Sequence, residues 1–429
     1  MGKFLIDGRK KLKGKISVSG AKNAALSIIP AAILSEEPSI ITNVPDISDV
    51  RFISEILTQM NVRIRKIGDD TLEIDPKNIK QKPATYDLVR RIRASYYLLG
   101  AMLGKFSNAS VPLPGGCNFG VRPIDQHIKG FTRLGASCKM NGGMISIKAK
   151  KIVGNSVYLD IASVGATINV VLAAVKAEGL TVIENAAKEP HVVDLANFLN
   201  SMGADVRGAG TDMIKIYGVK KLKGTSYSIV PDQIETGTYM IAAAVTGGDV
   251  TIENIIPKHL EAIKSKLEEI GVKVTEKESS IRVVRKSQLN RCNIKTMPHP
   301  GFPTDMQPQI SALLALAKGT SIISEGVWDN RFRYTEELKR MGANISVDGK
   351  IAVIEGVNSL TGTTVKATDL RAGAALVIAA LAAQGKTTIE NTGHIERGYS
   401  KICKKLSDLG ANIVKIDGEE PVLHLQKAL

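Results

Sequence analysis

One short signal recurs along the chain: a helical stretch that ends in Leu, Met or Ile, followed by Gly and then by Ala or Val. The complete copies carry their glycines at positions 135, 203, 271, 342 and 410, and Asn61 takes the place of glycine in a first copy. Successive copies lie about 70 residues apart, which indicates one supersecondary unit used six times. Glycine and asparagine most readily adopt the left-handed conformation that ends helices, so each signal predicts a helix terminus.

Each copy also contains an apolar run rich in small residues, such as AALSIIPAAIL or AGAALVIAALAA. Because these runs are apolar on nearly all sides, they predict helices buried in a core. A β-branched stretch follows most of them, and an amphipathic helix then leads to the glycine signal. The unit is therefore predicted to contain a strand, a buried helix, a strand, an exposed helix and a β-hairpin.

Six such units are too many for one hydrophobic core. We therefore predict an α/β protein with two lobes of three units each, with alanine-rich helices inside and sheets outside. Residues 22–229 form the N-terminal lobe, and residues 1–21 with 230–429 form the C-terminal lobe. The first strand region, residues 3–19, follows no alanine-rich helix and is expected to complete the last unit. The chain would then cross twice between the lobes and form a hinge.

Composition narrows the possible partners. The 429 residues are 44% hydrophobic and 23% charged, which is typical of a globular protein. A net charge of +15 favours anionic partners, namely nucleic acid, acidic lipid or phosphorylated metabolites. With 1 Trp, 9 Tyr and 8 Phe, the chain has few residues on which nucleic-acid bases could stack. This scarcity weakens the nucleic-acid alternative without excluding it, and the expected partner is a small-molecule anion, with no nucleic acid.

Other classes of site and location are also disfavoured. The start of the chain lacks the apolar core of a signal peptide, and the longest apolar run, residues 372–383, is too short to span a bilayer. We expect a cytoplasmic protein with no membrane contact. The four cysteines form no CxxC pair, the six histidines show no ligand spacing, and dinucleotide and Walker motifs are missing. Neither a metal nor a cofactor is therefore expected.

Polar residues stand where the buried helices should begin. They are Lys22 with Asn23, Arg93, residues 163–165, Glu235 with Thr236, Thr304 with Asp305, and residues 368–371. Thr304, Asp305, Thr368 and Asp369 suit ordinary helix caps and first-turn acids. The cations Lys22, Arg93 and Arg371 do not, because the helix dipole disfavours positive charge there by roughly 0.3–1 kcal/mol each. A bound anion would compensate, and facing lobes would place these groups in one cleft.

Two further segments could carry chemistry. Residues 113–123, LPGGCNFGVRP, surround Cys117 with glycines and place Arg122 five residues later. A cationic setting lowers the pKa of a thiol and makes it reactive, although a loop cysteine can also serve only as a small side chain. The second segment, residues 391–399, contains Arg397, which taken alone suits a surface ion pair.

Seven motifs together carry a resemblance to a known family. They are SGAKNAAL at 19–26, RASYYLLG at 93–100, LPGGCNFGVRPID at 113–125, SVGAT at 163–167, PHPGFPTDMQPQ at 298–309, ATDLRAGAAL at 367–376 and HIERGY at 394–399. In this order the chain closely resembles the UDP-N-acetylglucosamine 1-carboxyvinyltransferases from its first strand to its last helix. The resemblance implies the two-lobed inverse α/β barrel of the enolpyruvyl transferases, which is EPSP synthase-like.

The resemblance also implies an activity. The family transfers the enolpyruvyl group of phosphoenolpyruvate to the 3′-hydroxyl of UDP-N-acetylglucosamine and releases phosphate, which is the first committed step of peptidoglycan synthesis. The reaction passes through a tetrahedral ketal. It therefore requires a general acid, a carboxylate base and a cationic cradle. We therefore expect phosphoenolpyruvate and UDP-N-acetylglucosamine as the binding partners.

The resemblance assigns roles to individual residues. Cys117 is the general acid that protonates C3, and Asp305 is the base. Lys22, Arg122 and Arg397 grip phosphoenolpyruvate, with Arg331 and Arg371 adding to the positive field. The contacts implied for the sugar nucleotide are Asn23, Arg93, Arg122, Pro123, Ile124, Asp125, Gln126, Ser163, Val164, Gly165, Asp305 and Val327. Asp369 is also expected to bind substrate. The Cys117 loop would act as a lid that closes when the nucleotide binds.

The chain departs from the family pattern at two positions. Ile161 stands where many members carry Lys near the nucleotide phosphates, and Gln233 stands where many carry Arg. Two alternative functions also remain open. One is the sister enzyme 5-enolpyruvylshikimate-3-phosphate synthase, which lacks the cysteine-bearing PGGC loop. The other is a non-catalytic protein of this fold, either a degenerate paralogue or a basic nucleic-acid-binding module. The intact Lys22, Cys117, Asp305 and Arg397 argue against decay.

Overall fold

The computed structural model describes residues 2–82, 86–89, 92–112 and 124–416. Within them the strands form six sheets, five of four strands and one of three. In each four-stranded sheet one edge strand pairs in parallel and the other pairs are antiparallel. Three sheets belong to the N-terminal half, and their strands in spatial order are Ser226–Ser228, Ser39–Thr42, Thr71–Asp75 and Arg63–Gly68; Asn108–Pro112, Met144–Lys148 and Ser137–Asn141; and Asp205–Arg207, Met213–Tyr217, Leu180–Glu184 and Ser156–Tyr158.

The other three sheets belong to the C-terminal half. Their strands in spatial order are Lys273–Glu276, Ser280–Val284, Asp249–Glu253 and Lys13–Ser17; Ile294–Lys295, Thr320–Ser324, Ile351–Glu355 and Asn344–Asp348; and Thr364–Lys366, Lys386–Glu390, Lys3–Asp7 and Asn412–Ile416. Each sheet lies on the outside of the helices of its unit, and its more central strands, such as Met213–Tyr217 and Asp249–Glu253, alternate buried and more exposed residues.

The start of the chain differs from the prediction in one respect. Lys3–Asp7 completes the sheet of the last unit, as predicted, but Lys13–Ser17 is a separate strand in the sheet of the fourth unit. The break follows from close packing at Gly8, where an added Cβ would lie 2.2 Å from the carbonyl oxygen of Ala383. The next residue, Arg9, has a φ of 64°, which turns the chain away from the first sheet.

The helices fall into two groups. Six buried helices contain the alanine-rich runs: Lys22–Ala31, Tyr97–Phe106, Val164–Ala174, Gln233–Thr246, Gln307–Leu314 and Leu370–Ala382. The outer helices are Ser48–Gln59, Tyr86–Val89, Asp125–Arg133, Pro190–Ser201, Glu261–Glu269, Thr335–Arg340 and Ile402–Asp408. Short 3₁₀ segments are Ala32–Leu34, Arg93–Tyr96, Pro257–Leu260, Thr304–Met306 and Thr392–Arg397.

The six repeat signals end outer helices, as predicted. The glycines at 135, 203, 271, 342 and 410 have φ angles of 88°, 97°, 99°, 93° and 91°, and Asn61 has a φ of 67°. These are left-handed conformations, in which glycine avoids the steric penalty of a Cβ. The periodic signal therefore reflects one backbone requirement that recurs in every unit.

The buried apolar side chains form two separate clusters. One cluster draws on residues 4–18 and 234–413, and the other on residues 21–229. The chain therefore changes cluster between Val18 and Ala21 and again between Ile229 and Ile234. This is the two-lobed α/β architecture with buried helices and outer sheets, whereas the lobe boundaries after residues 21 and 229 stay predictions.

The two crossing segments run side by side. The Ala21 amide donates to the carbonyl of Val230 at 2.7 Å, and the Asp232 amide donates to the carbonyl of Ser19 at 2.9 Å. One carboxylate oxygen of Asp232 accepts the Lys22 amide at 2.9 Å, and the other accepts the amides of Ile234 and Glu235. Asp232 therefore satisfies the first N–H groups of two helices that belong to different core clusters. None of the helices in the described residues has the length and apolar character needed to cross a membrane.

Candidate active site

Lys22 begins the first buried helix and takes part in a buried ion-pair group. Its Nζ lies 2.7 Å from Oδ2 of Asp49, whose side chain is only 2% exposed. Arg397, at the end of the 3₁₀ segment Thr392–Arg397, donates to both oxygens of the same carboxylate, at 2.8 and 3.2 Å. Asp49 belongs to the half of the chain that forms one core cluster, and Arg397 belongs to the other half. Their ion pair therefore joins the two halves.

Asp305 lies between two guanidinium groups. Its Oδ1 accepts Nη2 of Arg331 at 3.1 Å, and its Oδ2 accepts Nε and Nη2 of Arg371 at 3.2 and 3.0 Å. The arginine side chains are both 5% exposed, whereas that of Asp305 is 32% exposed. Burial raises the pKa of Asp305, but Arg371 and Arg331 outweigh it and hold the pKa well below its usual range. Asp305 is therefore ionised at neutral pH and partly exposed to solvent.

The two ion-pair groups act on each other electrostatically. Burial lowers the pKa of Lys22, Asp49 raises it, and the neighbouring Arg397 and Arg371 lower it further. The field of Lys22 in turn helps to keep the pKa of Asp305 low. Together Lys22, Arg331, Arg371 and Arg397 carry more positive charge than the two aspartates neutralise. An anionic ligand is the natural complement of such a cluster.

Glu325 connects the segment of Asp305 to a neighbouring loop. Its carboxylate accepts the Thr304 hydroxyl at 3.0 and 3.1 Å and the amides of Val327 and Trp328 at 2.9 and 3.1 Å. Glu325 is 3% exposed, so these hydrogen bonds are made away from bulk water. They hold the loop of Val327 against the turn that presents Asp305.

A substitution tests this connection. In Glu325→Gln, the Val327 and Trp328 amides are expected to exchange with deuterium roughly tenfold faster or more, because hydrogen bonds to a charged acceptor contribute about 1.5–3 kcal/mol. Hydrogen exchange followed by mass spectrometry measures this rate. Glu336→Gln is the control, since Glu336 pairs with Lys339 at an exposed position. Equal protection of the two amides in both variants would contradict the role.

Most of the residues predicted to bind the nucleotide lie in the N-terminal half. Ser163 caps the helix Val164–Ala174 by accepting the Ala166 amide at 3.3 Å. Gly165 packs against His127, whose ring lies 3.0 Å from the position of an added Cβ. Gln126 is buried and donates to Asp160 at 3.0 Å, while the Asp160 amide donates back at 2.9 Å. Ser163, Gly165 and Gln126 therefore hold defined local positions, and the binding role itself stays a prediction.

The other residues predicted to bind substrate differ in their exposure to solvent. Asn23, Ile124, Val164 and Asp369 are half-buried, whereas Asp125 and Val327 are exposed. Asp369 accepts the amides of Arg371 and Ala372 at 2.9 and 3.0 Å, so it serves as an ordinary helix cap. Ile161 is 55% exposed, and Gln233 is the first residue of its helix. Cys117, Arg122 and Pro123 lie outside the described residues, as does the side chain of Arg93.

Sequence reasoning missed three residues of this region: Asp49, Glu325 and His191. Asp49 resembles any first-turn acid of a helix, and Glu325 follows a strand without a distinguishing motif. Burial lowers the pKa of His191 to about 4, although Asp305 and Asp232 raise it. His191 is therefore a neutral group within the electrostatic range of Asp305. The sequence did contain one signal for His191, namely that it follows Pro190 at the start of an outer helix.

Comparisons with known proteins agree with this architecture. A family model described as EPSP synthase (3-phosphoshikimate 1-carboxyvinyltransferase) matches residues 6–406. The crystal structure of the enolpyruvyl transferase NikO from Streptomyces tendae superposes with a TM-score of 0.87 at 27% identity, covering 97% of this chain and 99% of that one.

Relatives with higher identity span the whole chain. UDP-N-acetylglucosamine 1-carboxyvinyltransferase 3 of Caldanaerobacter subterraneus subsp. tengcongensis is 56% identical over 416 residues, covering 97% of this chain and 100% of that protein. The UDP-N-acetylglucosamine 1-carboxyvinyltransferase of Clostridium botulinum is 56% identical over 417 residues, with coverage of 97% and 100%. The chain therefore belongs to the UDP-N-acetylglucosamine 1-carboxyvinyltransferase family, within the wider group of EPSP synthase-like enolpyruvyl transferases.

Proposed function

We propose that this chain transfers the enolpyruvyl group of phosphoenolpyruvate to the 3′-hydroxyl of UDP-N-acetylglucosamine and releases phosphate, as the first committed step of peptidoglycan synthesis. One observation supports it most directly. Lys22, Arg397, Arg331 and Arg371 converge with Asp305 at the starts of buried helices and in adjacent segments. Such a site combines a carboxylate with excess positive charge, which this chemistry requires.

The reaction divides into addition and elimination. In the addition, the 3′-oxygen bonds to C2 of phosphoenolpyruvate while its proton leaves, and C3 gains a proton to become a methyl group. In the elimination, C3 returns a proton and the C2–O bond to phosphate breaks. We assign the carboxylate of Asp305 to proton acceptance. Because Arg331 and Arg371 hold its pKa low, an arriving anion that draws these guanidinium groups away would raise that pKa and strengthen the base.

The cations bind the substrate's negative charge. Lys22 and Arg397, with Arg122 by resemblance, would hold phosphoenolpyruvate, whose carboxylate and phosphate suit paired cationic donors. Cys117 would supply the proton to C3 from a lid that closes over the site. Both Arg122 and Cys117 lie outside the described residues, so the family resemblance alone supports these two roles. A cytoplasmic location is inferred on the same basis.

A phosphate-release assay tests the function. The purified chain is expected to release phosphate only when both phosphoenolpyruvate and UDP-N-acetylglucosamine are present. Shikimate 3-phosphate in place of the sugar nucleotide tests the sister activity and is expected to give no release. Absence of release with the sugar nucleotide would overturn the proposal. A salt-sensitive affinity for nucleic acid without phosphate release would favour the non-catalytic alternative instead.

A further inference from the structure

The position of Asp49 is unusual for a first-turn acid. It lies in the first turn of the helix Ser48–Gln59, where any carboxylate gains from the helix dipole. Yet both of its oxygens are engaged by cations from other segments: Lys22 Nζ at 2.7 Å, and Arg397 Nε and Nη2 at 2.8 and 3.2 Å. These cations are separated in sequence by most of the chain, and the carboxylate that joins them is 2% exposed.

We propose that Asp49 is a positioning residue, which holds the Lys22 ammonium and the Arg397 guanidinium together as one anion-binding pair between the two halves of the chain. This inference rests on the proposed function, since it assigns that pair to phosphoenolpyruvate. Lys22 Nζ keeps further donor hydrogens beyond the one directed at Asp49, and the guanidinium of Arg397 keeps its Nη1 group. The pair can therefore bind a substrate anion without releasing the carboxylate that aligns it.

The charges around Lys22 explain why a carboxylate is needed. Arg397 and Arg371 both repel the ammonium group, and burial opposes its charge. Of the neighbouring carboxylates, that of Asp49 contacts the ammonium directly. Asp232 instead accepts the backbone amide of Lys22, and the Asp305 carboxylate accepts hydrogen bonds from Arg331 and Arg371. Asp49 is therefore the acid that keeps the Lys22 side chain both oriented and protonated.

The nearby Asp46 provides a contrast. It also pairs with an arginine, Arg51 at 2.8 Å, but the two side chains are 38% and 68% exposed and belong to the same segment. Exposed pairs of this kind contribute little. Asp46→Asn is therefore a matched control for Asp49→Asn, because it makes the same chemical change three residues earlier in the chain.

The experiment measures kcat and KM for phosphoenolpyruvate against pH. Asp49→Asn is expected to raise this KM at least roughly tenfold, because removing one partner of a buried charge pair leaves the others misaligned. Loss of the carboxylate also lowers the pKa of Lys22 further. Since only the protonated ammonium binds the anion, the alkaline limb of kcat/KM should move to lower pH. Asp46→Asn should change neither quantity.

Two further variants separate this role from a general loss of structure. Lys22→Arg carries a guanidinium that does not titrate in this range, so adding Asp49→Asn to it should no longer move the alkaline limb. If Asp49→Asn fails to fold, Asp49→Glu keeps the charge but displaces it by one methylene. That variant should raise KM for phosphoenolpyruvate while leaving the alkaline limb in place. A folded Asp49→Asn with unchanged KM and unchanged limb would overturn the proposal.

Direct binding distinguishes this inference from the proposed function. Titration calorimetry with phosphoenolpyruvate reports the anion site without requiring turnover. Weaker binding by Asp49→Asn than by the unmutated chain, in a protein that releases no phosphate, would support the positioning role and overturn the proposed function. Normal turnover by the unmutated chain, with equal binding of phosphoenolpyruvate by the two proteins, would support the proposed function and overturn the positioning role. Loss of both turnover and binding in the unmutated chain would overturn both proposals.

Discussion

Asp305→Asn is expected to slow phosphate release at saturating substrate by roughly 10²- to 10⁴-fold, because an amide cannot accept the proton that the carboxylate takes. The change keeps the size of the side chain, but it removes the negative charge and leaves one oxygen to accept the hydrogen bonds that Arg331 and Arg371 now share between two oxygens. Both arginines are almost fully buried, so some loss of stability should accompany the loss of turnover. Stopped-flow or single-turnover phosphate release measures the chemical step apart from binding.

The stability of Asp305→Asn has a pH dependence of known sign. The folded state depresses the pKa of Asp305, so its contribution to folding is present above the ordinary carboxyl range and is lost as the pH falls. The stability difference between the two proteins should therefore shrink on acidification. Asp329→Asn is the control, because Asp329 pairs with Lys350 at an exposed position.

The turnover measurement can contradict the catalytic role. If Asp305→Asn releases phosphate within a few-fold of the rate of the unmutated chain, Asp305 is not the base.

Cys117→Ser should cause a comparable loss of turnover, roughly 10²- to 10⁴-fold, with little change in the midpoint of thermal unfolding. Serine keeps the size of the side chain but is a far weaker proton donor. Phosphate release and a melting curve on the same preparation measure the two effects. Cys138→Ser is the matched control and should keep full activity. A Cys117→Ser variant that turns over normally would contradict the role as general acid.

Chemical labelling provides a second measurement on Cys117. An epoxide phosphonate such as fosfomycin should alkylate Cys117, which peptide mass spectrometry locates. The other thiols are poor competitors: burial raises the pKa of Cys292 and of Cys403 to about 12, and it raises that of Cys138 as well. An adduct on one of these three residues, or no adduct at all, would show that the loop has been misinterpreted.

The sequence predicted much of the repeated architecture correctly. The left-handed glycines, the buried alanine-rich helices and the outer sheets all depend on residues within one unit, and these leave a periodic pattern. The prediction for residues 3–19 was wrong in part, because the break in this region depends on a contact between distant units. The strand ends at Asp7 because Gly8 packs against the carbonyl of Ala383, which belongs to the last unit and lies far away in sequence.

The candidate site divides in the same way. Lys22, Asp305, Arg371 and Arg397 could be selected from the chain alone, because cations at predicted helix starts are unfavourable without an anion and because family motifs contain them. The partners of these residues could not be selected. Asp49 and Arg397 are separated by 348 positions, and whether two such side chains meet depends on how the two cores face each other.

The chain itself therefore determined which helices are buried, where the outer helices end and which chemical groups stand at the helix starts, since short-range sterics and hydrophobic periodicity act within a few residues. Only the tertiary structure decided that one buried carboxylate joins Lys22 to Arg397 and that two arginines hold Asp305 ionised. Coulomb energies depend on separation in space and on burial, and neither quantity is encoded in local sequence.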